Sequence, residues 1–138
     1  MTDVVIAVGG EGPREAITSA DSYILRSLIV DGMAYCRAAG NSMAPVYGDG
    51  SLLQLVKINH VGELKIGDVV YFRTRAGFNR HMFGGLVTLG VGGQAQRWAV
   101  ICYGDGSFDQ LVSPDDILAK VDQVIHNTLT DGPIIKEQ

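Results

Sequence analysis

Positive charge, cysteine and histidine are scarce in this chain of 138 residues, and no apolar run reaches membrane-spanning length. Lys and Arg number 11 against 15 Asp and Glu, for a formal net charge of −4. Phosphate binding calls for a clustered excess of cations, so direct contact with DNA or RNA is not expected. The cysteines, Cys36 and Cys102, have no C-x-x-C spacing and no secretory context. Free buried thiols in a reducing, cytoplasmic compartment are the expectation. His60, His81 and His126 show neither an i, i+4 pair nor a Cys/His cluster, so no metal and no other cofactor is expected. Near the N-terminus the apolar run is only Val4-Val5-Ile6-Ala7-Val8, too short for a signal peptide or an anchor, and no membrane span is expected. Solenoid repeats and low-complexity segments are absent as well.

What is present suits one globular domain. Hydrophobic residues make up 46% and charged residues 19%, and a chain of this length can bury about 70% of its unfolded surface in a single core. The reading is an N-terminal arm over residues 1–13 and one β-rich domain over 14–138. In residues 14–30 the apolar positions Ile17, Ala20, Ile24, Leu25, Leu28 and Ile29 recur at three- and four-residue spacings, which predicts an amphipathic helix ended by Asp31-Gly32. After it, short β-favouring runs at 33–38, 51–57, 69–73, 80–83, 86–89, 96–103 and 121–125 are separated by glycine turns. Residues 75–79 read as a hairpin connection. Ser113-Pro114-Asp115-Asp116 has the grammar of a single helical turn, and residues 128–138 read as a polar tail. Eighteen glycines among short apolar runs predict a mostly antiparallel β fold with many turns.

One turn, Gly40-Asn41-Ser42-Met43-Ala44-Pro45, joins two of these runs through Gly48-Asp49-Gly50. A serine between a glycine and an apolar residue at a sharp bend can present its hydroxyl outward as a nucleophile. The plainer role for such a serine is to bond the backbone of its own turn.

The string G-N-S-M-A-P, then G-D-G, then Lys65-Ile66-Gly67-Asp68-Val69-Val70-Tyr71-Phe72 resembles the serine peptidase superfamily of type I signal peptidases and LexA-like self-cleaving proteins. Tyr103-Gly104-Asp105-Gly106-Ser107-Phe108-Asp109, with the stretch 113–121 after it, is similar to the signal peptidase pattern in particular. The resemblance covers most of the chain and implies antiparallel sheets in a coiled, pseudo-barrel fold with one N-terminal helix. It implies a serine endopeptidase in which Ser42 is the nucleophile and a peptide or protein substrate binds as an added strand, with Asn41 and Met43 beside the serine as peptide contacts. Met43 also reads as a core residue that pins the turn.

Superfamily members use a lysine or a histidine as general base. No lysine lies between Lys65 and Lys120, which leaves His81 as the expected base. A histidine needs no special desolvation to be neutral near pH 7, whereas a lysine must have its pKa pulled down by burial. Lys57 and His60 stand close after Ser42, on its own outgoing strand and the loop beyond, and rank below His81. The histidine type implies an acid near the second glycine turn, Asp109 with Asp105 as the alternative, to fix the imidazole tautomer.

Arg80 before His81, Met82-Phe83 after it and the missing anchor also fit a second expectation, a non-catalytic module that holds a peptide or partner protein in the same cleft. LexA-like members cut a bond upstream of their serine, and the matching place here is Val8-Gly9. A homodimer is left open.

Overall fold

The computed structural model describes residues 19–135. The 1–13 arm, with Val8-Gly9, and the first positions of the expected helix lie outside the described residues. Helix α1, Ser19–Asp31, turns Ile24 and Leu28 inward against Ala34, Leu55, Tyr71 and Ala119. Their four-residue spacing puts both side chains on one face of the helix, which is why the sequence pattern was legible there.

Seven strands follow: β1 Met33–Arg37, β2 Leu52–Lys57, β3 Val69–Thr74, β4 Gly77–Val91, β5 Gln94–Cys102, β6 Phe108–Val112 and β7 Ile117–His126. They form one sheet in the order β1-β2-β7-β3-β4-β5-β6, and every neighbouring pair is antiparallel. The architecture is thus mostly β with one long helix. Among the described residues no helix is long and apolar enough to cross a membrane.

Several segments differ from their expected form. Residues 80–83 and 86–89 belong to one strand, β4, because Gly84-Gly85 makes a bulge in it and does not end it. Phe83 pairs with Ile101 and Leu86 with Ala99, so β4 carries one extra residue there, and Gly85 takes φ +108 to accommodate it. The hairpin before β4 is shorter than expected, with Gly77 already paired to Thr74. Strand β6 was not anticipated, and β7 is longer than the expected 121–125. Part of the expected polar tail is a short helix, α2, Thr128–Asp131. Asn127 caps it, accepting from Leu129 N–H at 3.0 Å. Residues 114–116 form the expected helical turn, and Val61–Glu63 forms a second one.

The core has two sides. On one, α1 and the 40–50 loop cover Ala34, Met43, Tyr47, Leu53, Leu55, Val69 and Tyr71; on the other, Val70, Phe72, Phe83, Ala99, Ile101 and Ile117 pack together. Residues 69–72 of β3 are buried throughout, as a central strand covered on both faces must be. Arg80 Nη2 lies 3.5 Å from the carbonyl oxygen of Arg37, although three strands separate β4 from β1 in the sheet. A flat sheet would hold those strands about 19 Å apart at normal spacing, so this sheet is strongly coiled. Register shifts in the β2–β7, β3–β7, β4–β5 and β5–β6 pairs supply local bends.

Candidate active site

The 40–49 loop is tied at its base by a reciprocal pair of bonds. Gly40 N–H donates to Asp49 Oδ1 at 2.7 Å, and Asp49 N–H donates to the Asn41 side-chain oxygen at 3.0 Å. Inside it, Val46 N–H donates to Met43 O at 2.7 Å, and the Ala44–Pro45 peptide is cis. Met43 is only 2% exposed and packs with Ala38, Tyr47, Leu53 and Val69. Anchoring Met43 inward leaves Ser42 on the outside of the bend, and Ser42 is exposed. Helix α2 braces the loop from behind: Thr128 Oγ1 donates to Asp49 O at 2.8 Å, and Thr128 N–H donates to the fully buried Ser51 hydroxyl at 3.0 Å.

His81 comes from β4, opposite Val70, and is 5% exposed. Phe72 flanks its ring with centroids 6.2 Å apart, and Tyr103 meets it edge-on at 5.0 Å. Its Nε2 is 3.0 Å from Ser42 Oγ, and its Nδ1 is 2.8 Å from Asp109 Oδ2. With Asp109 ionised, Nδ1 carries the proton and donates it, which leaves Nε2 to accept from the Ser42 hydroxyl.

Asp109 reaches the imidazole because β6 bulges. Cys102 pairs with Phe108 and Ile101 with Gln110, so Asp109 is the extra residue on its strand, turned out of the ladder. Its carboxylate also accepts from Gln110 Nε2 at 2.9 Å and from the Tyr103 hydroxyl. Burial acts to raise its pKa, but the bonds from Gln110, His81 and Tyr103 outweigh it and hold the carboxyl below the ordinary 3.8. A group with a lowered folded pKa contributes stability in full above its unfolded value and loses it as pH falls through the folded one. Urea midpoints of wild type and Asp109→Asn are therefore expected to differ most above pH 4 and to converge below 3.8. A gap that stays constant down to about pH 2 would remove Asp109 as the cause.

The structure thus brings together Ser42, His81 and Asp109, which lie far apart in the chain. The alternative acid, Asp105, stays in its own turn, where it accepts from Ser107 N–H at 2.9 Å and Ser107 Oγ at 2.6 Å. His60 caps the 61–63 turn, its Nδ1 accepting from Gly62 N–H at 2.8 Å, and is used structurally. Lys57 lines a different cavity of about 640 Å³ beside α1, along with His60 and Arg97, and no residue of the Ser42 site lines it. As for the expected peptide contacts, the Met43 side chain is buried under the turn, and Asn41 is exposed with its side-chain oxygen bonded to Asp49 N–H.

Gly104 and Tyr103 were missed in the sequence. Gly104 N–H donates to Ser42 O at 2.9 Å, and the two turns approach so closely that a Cβ on Gly104 would overlap the Met43 carbonyl. The signal is the glycine itself, which in the sequence marks a turn within the stretch that is similar to the signal peptidase pattern.

The thiols of Cys36 and Cys102 are free, as expected, but half-buried; burial raises the pKa of Cys36. Among the described residues no group of His, Cys, Asp and Glu side chains could hold a metal ion. Compared with models of known families, with curated proteins and with solved structures, the chain has no match in any of the three.

Proposed function

We propose that the protein is a serine endopeptidase of the signal peptidase and LexA-like kind, its coiled sheet being a version of that family's fold. The observation that carries the reading is the hydrogen-bonded chain from Ser42 Oγ through both ring nitrogens of His81 to Asp109, at 3.0 and 2.8 Å. In this reading Ser42 Oγ attacks the scissile carbonyl while its proton passes to His81 Nε2. Asp109 stabilises the imidazolium, which returns the proton to the departing amine. Water activated by the same nitrogen then releases the acyl group from Ser42. Ser42 N–H has no acceptor among the described residues and is the candidate donor to the oxyanion.

Two strand edges that are free among the described residues support an extended peptide as the substrate. Ala38 N–H and O both bond toward β2, to Ser51 and Gly50, so by alternation Arg37 and Tyr35 turn theirs to the open side of β1. On β4, pairing with β5 begins only at Met82, so among the described residues no strand covers one edge of residues 77–81. A strand laid between these edges gains main-chain bonds on both sides and ends at Ser42 and His81. The hollow beside Ser42, lined by Ala38, Gly40, Met43 and Tyr47, has about 20 Å³ and selects a small side chain.

A fluorophosphonate probe tests the chemistry directly. The expected product is a single adduct on the tryptic peptide containing Ser42, absent in Ser42→Ala and strongly reduced in His81→Ala. Equal labelling of wild type and Ser42→Ala would sink the proposal.

A further inference from the structure

We infer that Arg80 reads a carboxylate on the bound peptide, so that the site takes Asp or Glu two residues before the small residue at the scissile bond. The inference rests on the extended-peptide reading above and deepens it to a substrate class.

Arg80 alternates with His81 along β4, so its side chain lies on the opposite face of the strand, the one that carries Phe78 and Met82 against α1 and the 40–50 loop. There the guanidinium sits 5.8 Å from the centroid of the Tyr71 ring, and Arg80 as a residue is half-buried. Among the described residues no carboxylate lies within 4.0 Å of it, whereas Arg73 has Asp116 at 3.0 Å. Asp21, the acid beside the same tyrosine, accepts the Tyr71 hydroxyl at 2.7 Å. Among the described residues the one polar bond of the guanidinium is the 3.5 Å approach to Arg37 O, at the long limit of a hydrogen bond. A cation partly withdrawn from water with so weak a partner gains from any anion that reaches it.

That position is where a peptide side chain would arrive. Arg80 forms part of the wall of the small hollow at Ser42. In an extended peptide the residues at i and i−2 point the same way, so when the residue at the scissile bond fills the hollow, the one two places earlier faces Arg80. The hollow, about 20 Å³, is itself too small for an acidic side chain. The guanidinium also occupies Arg37 O, one of the edge groups that a bound strand would use. An acidic side chain draws the guanidinium away and frees that carbonyl, so the swap replaces one marginal bond with a charge-assisted pair and a main-chain bond.

The test uses synthetic peptides that are identical except for Glu, Gln or Lys at the position two residues before a central alanine. Cleavage by wild type and binding to the Ser42→Ala protein are both measured. Glu is expected to exceed Gln by about tenfold in kcat/KM and in affinity, Lys is expected to be the poorest, and the same exchange one residue nearer the alanine should have little effect. Arg80→Gln should erase the preference and Arg80→Glu should turn it toward Lys; should either variant fail to fold, the peptide series on the unaltered Arg80 decides alone. A Glu preference in binding to Ser42→Ala without any cleavage by wild type would keep this inference and remove the peptidase reading. Equal handling of Glu, Gln and Lys, or no binding of any of them, would overturn the inference itself.

Discussion

Replacing His81 by alanine is expected to slow peptide cleavage by about 10⁴-fold, and adding Ser42→Ala is expected to slow it little further. The two residues act as one unit, joined by the 3.0 Å bond between Nε2 and Oγ. Without a proton acceptor the hydroxyl is a poor nucleophile, and without the hydroxyl the imidazole has no proton to take. Asp109→Ala should cost less, about 10³-fold, because Phe72 and Tyr103 still flank the ring. Single-turnover rates on one peptide, with circular dichroism to verify folding, check all three. A His81→Ala protein within about tenfold of wild type would mean that His81 is not the base.

The largest stability effect is expected at Gly104. A Cβ there would overlap the carbonyl carbon and oxygen of Met43 and lie 2.6 Å from its Cα. All of these are backbone atoms, so no rotamer change relieves the overlap. The 103–104 segment and the Ser42 turn must then part, which also strains the bond from Gly104 N–H to Ser42 O. Gly104→Ala is therefore expected to cost about 3 kcal/mol by urea denaturation, toward the upper end for overpacking. Activity should fall too, since Tyr103 leaves His81 and Asp109 as it moves. Gly90→Ala is the control: its nearest neighbour to a Cβ is Gln94 O at 3.9 Å, and a change under about 1 kcal/mol is expected. Equal losses in the two variants would show that the close approach at Gly104 is not what matters.

The parts of this fold that could be read from the sequence were those whose physics is local. Ile24 and Leu28 repeat with a helical period, and the apolar runs that became β2, β3 and β5 carry strand-forming residues between glycines. Strand β6 was hidden because Phe108-Asp109-Gln110-Leu111 is mixed in polarity, as an edge strand can be, with only Val112 buried. Helix α2 was hidden because its value lies in bonds from Thr128 to Asp49 and Ser51, 79 and 77 positions away. Gly84-Gly85 of β4 looks like a stop in the sequence because a bulge and a turn use the same residue for the same positive φ.

The candidate site followed a similar rule. Ser42 and His81 could be paired across 39 residues by motif order and by the absence of lysine between Lys65 and Lys120. The choice between Asp105 and Asp109 could not be made that way. It depends on a one-residue slip between β5 and β6, which leaves no mark in composition. Arg80 read as a departure from a pattern; its place over Tyr71 follows from their direct pairing between β3 and β4, and its reach to Arg37 depends on the coiling of the whole sheet.

The strand order also separates the time of synthesis from the time of assembly. The hairpin of β1 and β2 presents Ser42, while β3 to β6 present His81 and Asp109, yet β2 and β3 share no ladder. The last strand, β7, lies between them and bonds to both. A nascent chain that already contains Ser42, His81 and Asp109 therefore has no continuous sheet through all three until residues 117–126 emerge. A chain broken off before Ile117 would hold every group of the site and lack the strand that joins its two halves in one sheet.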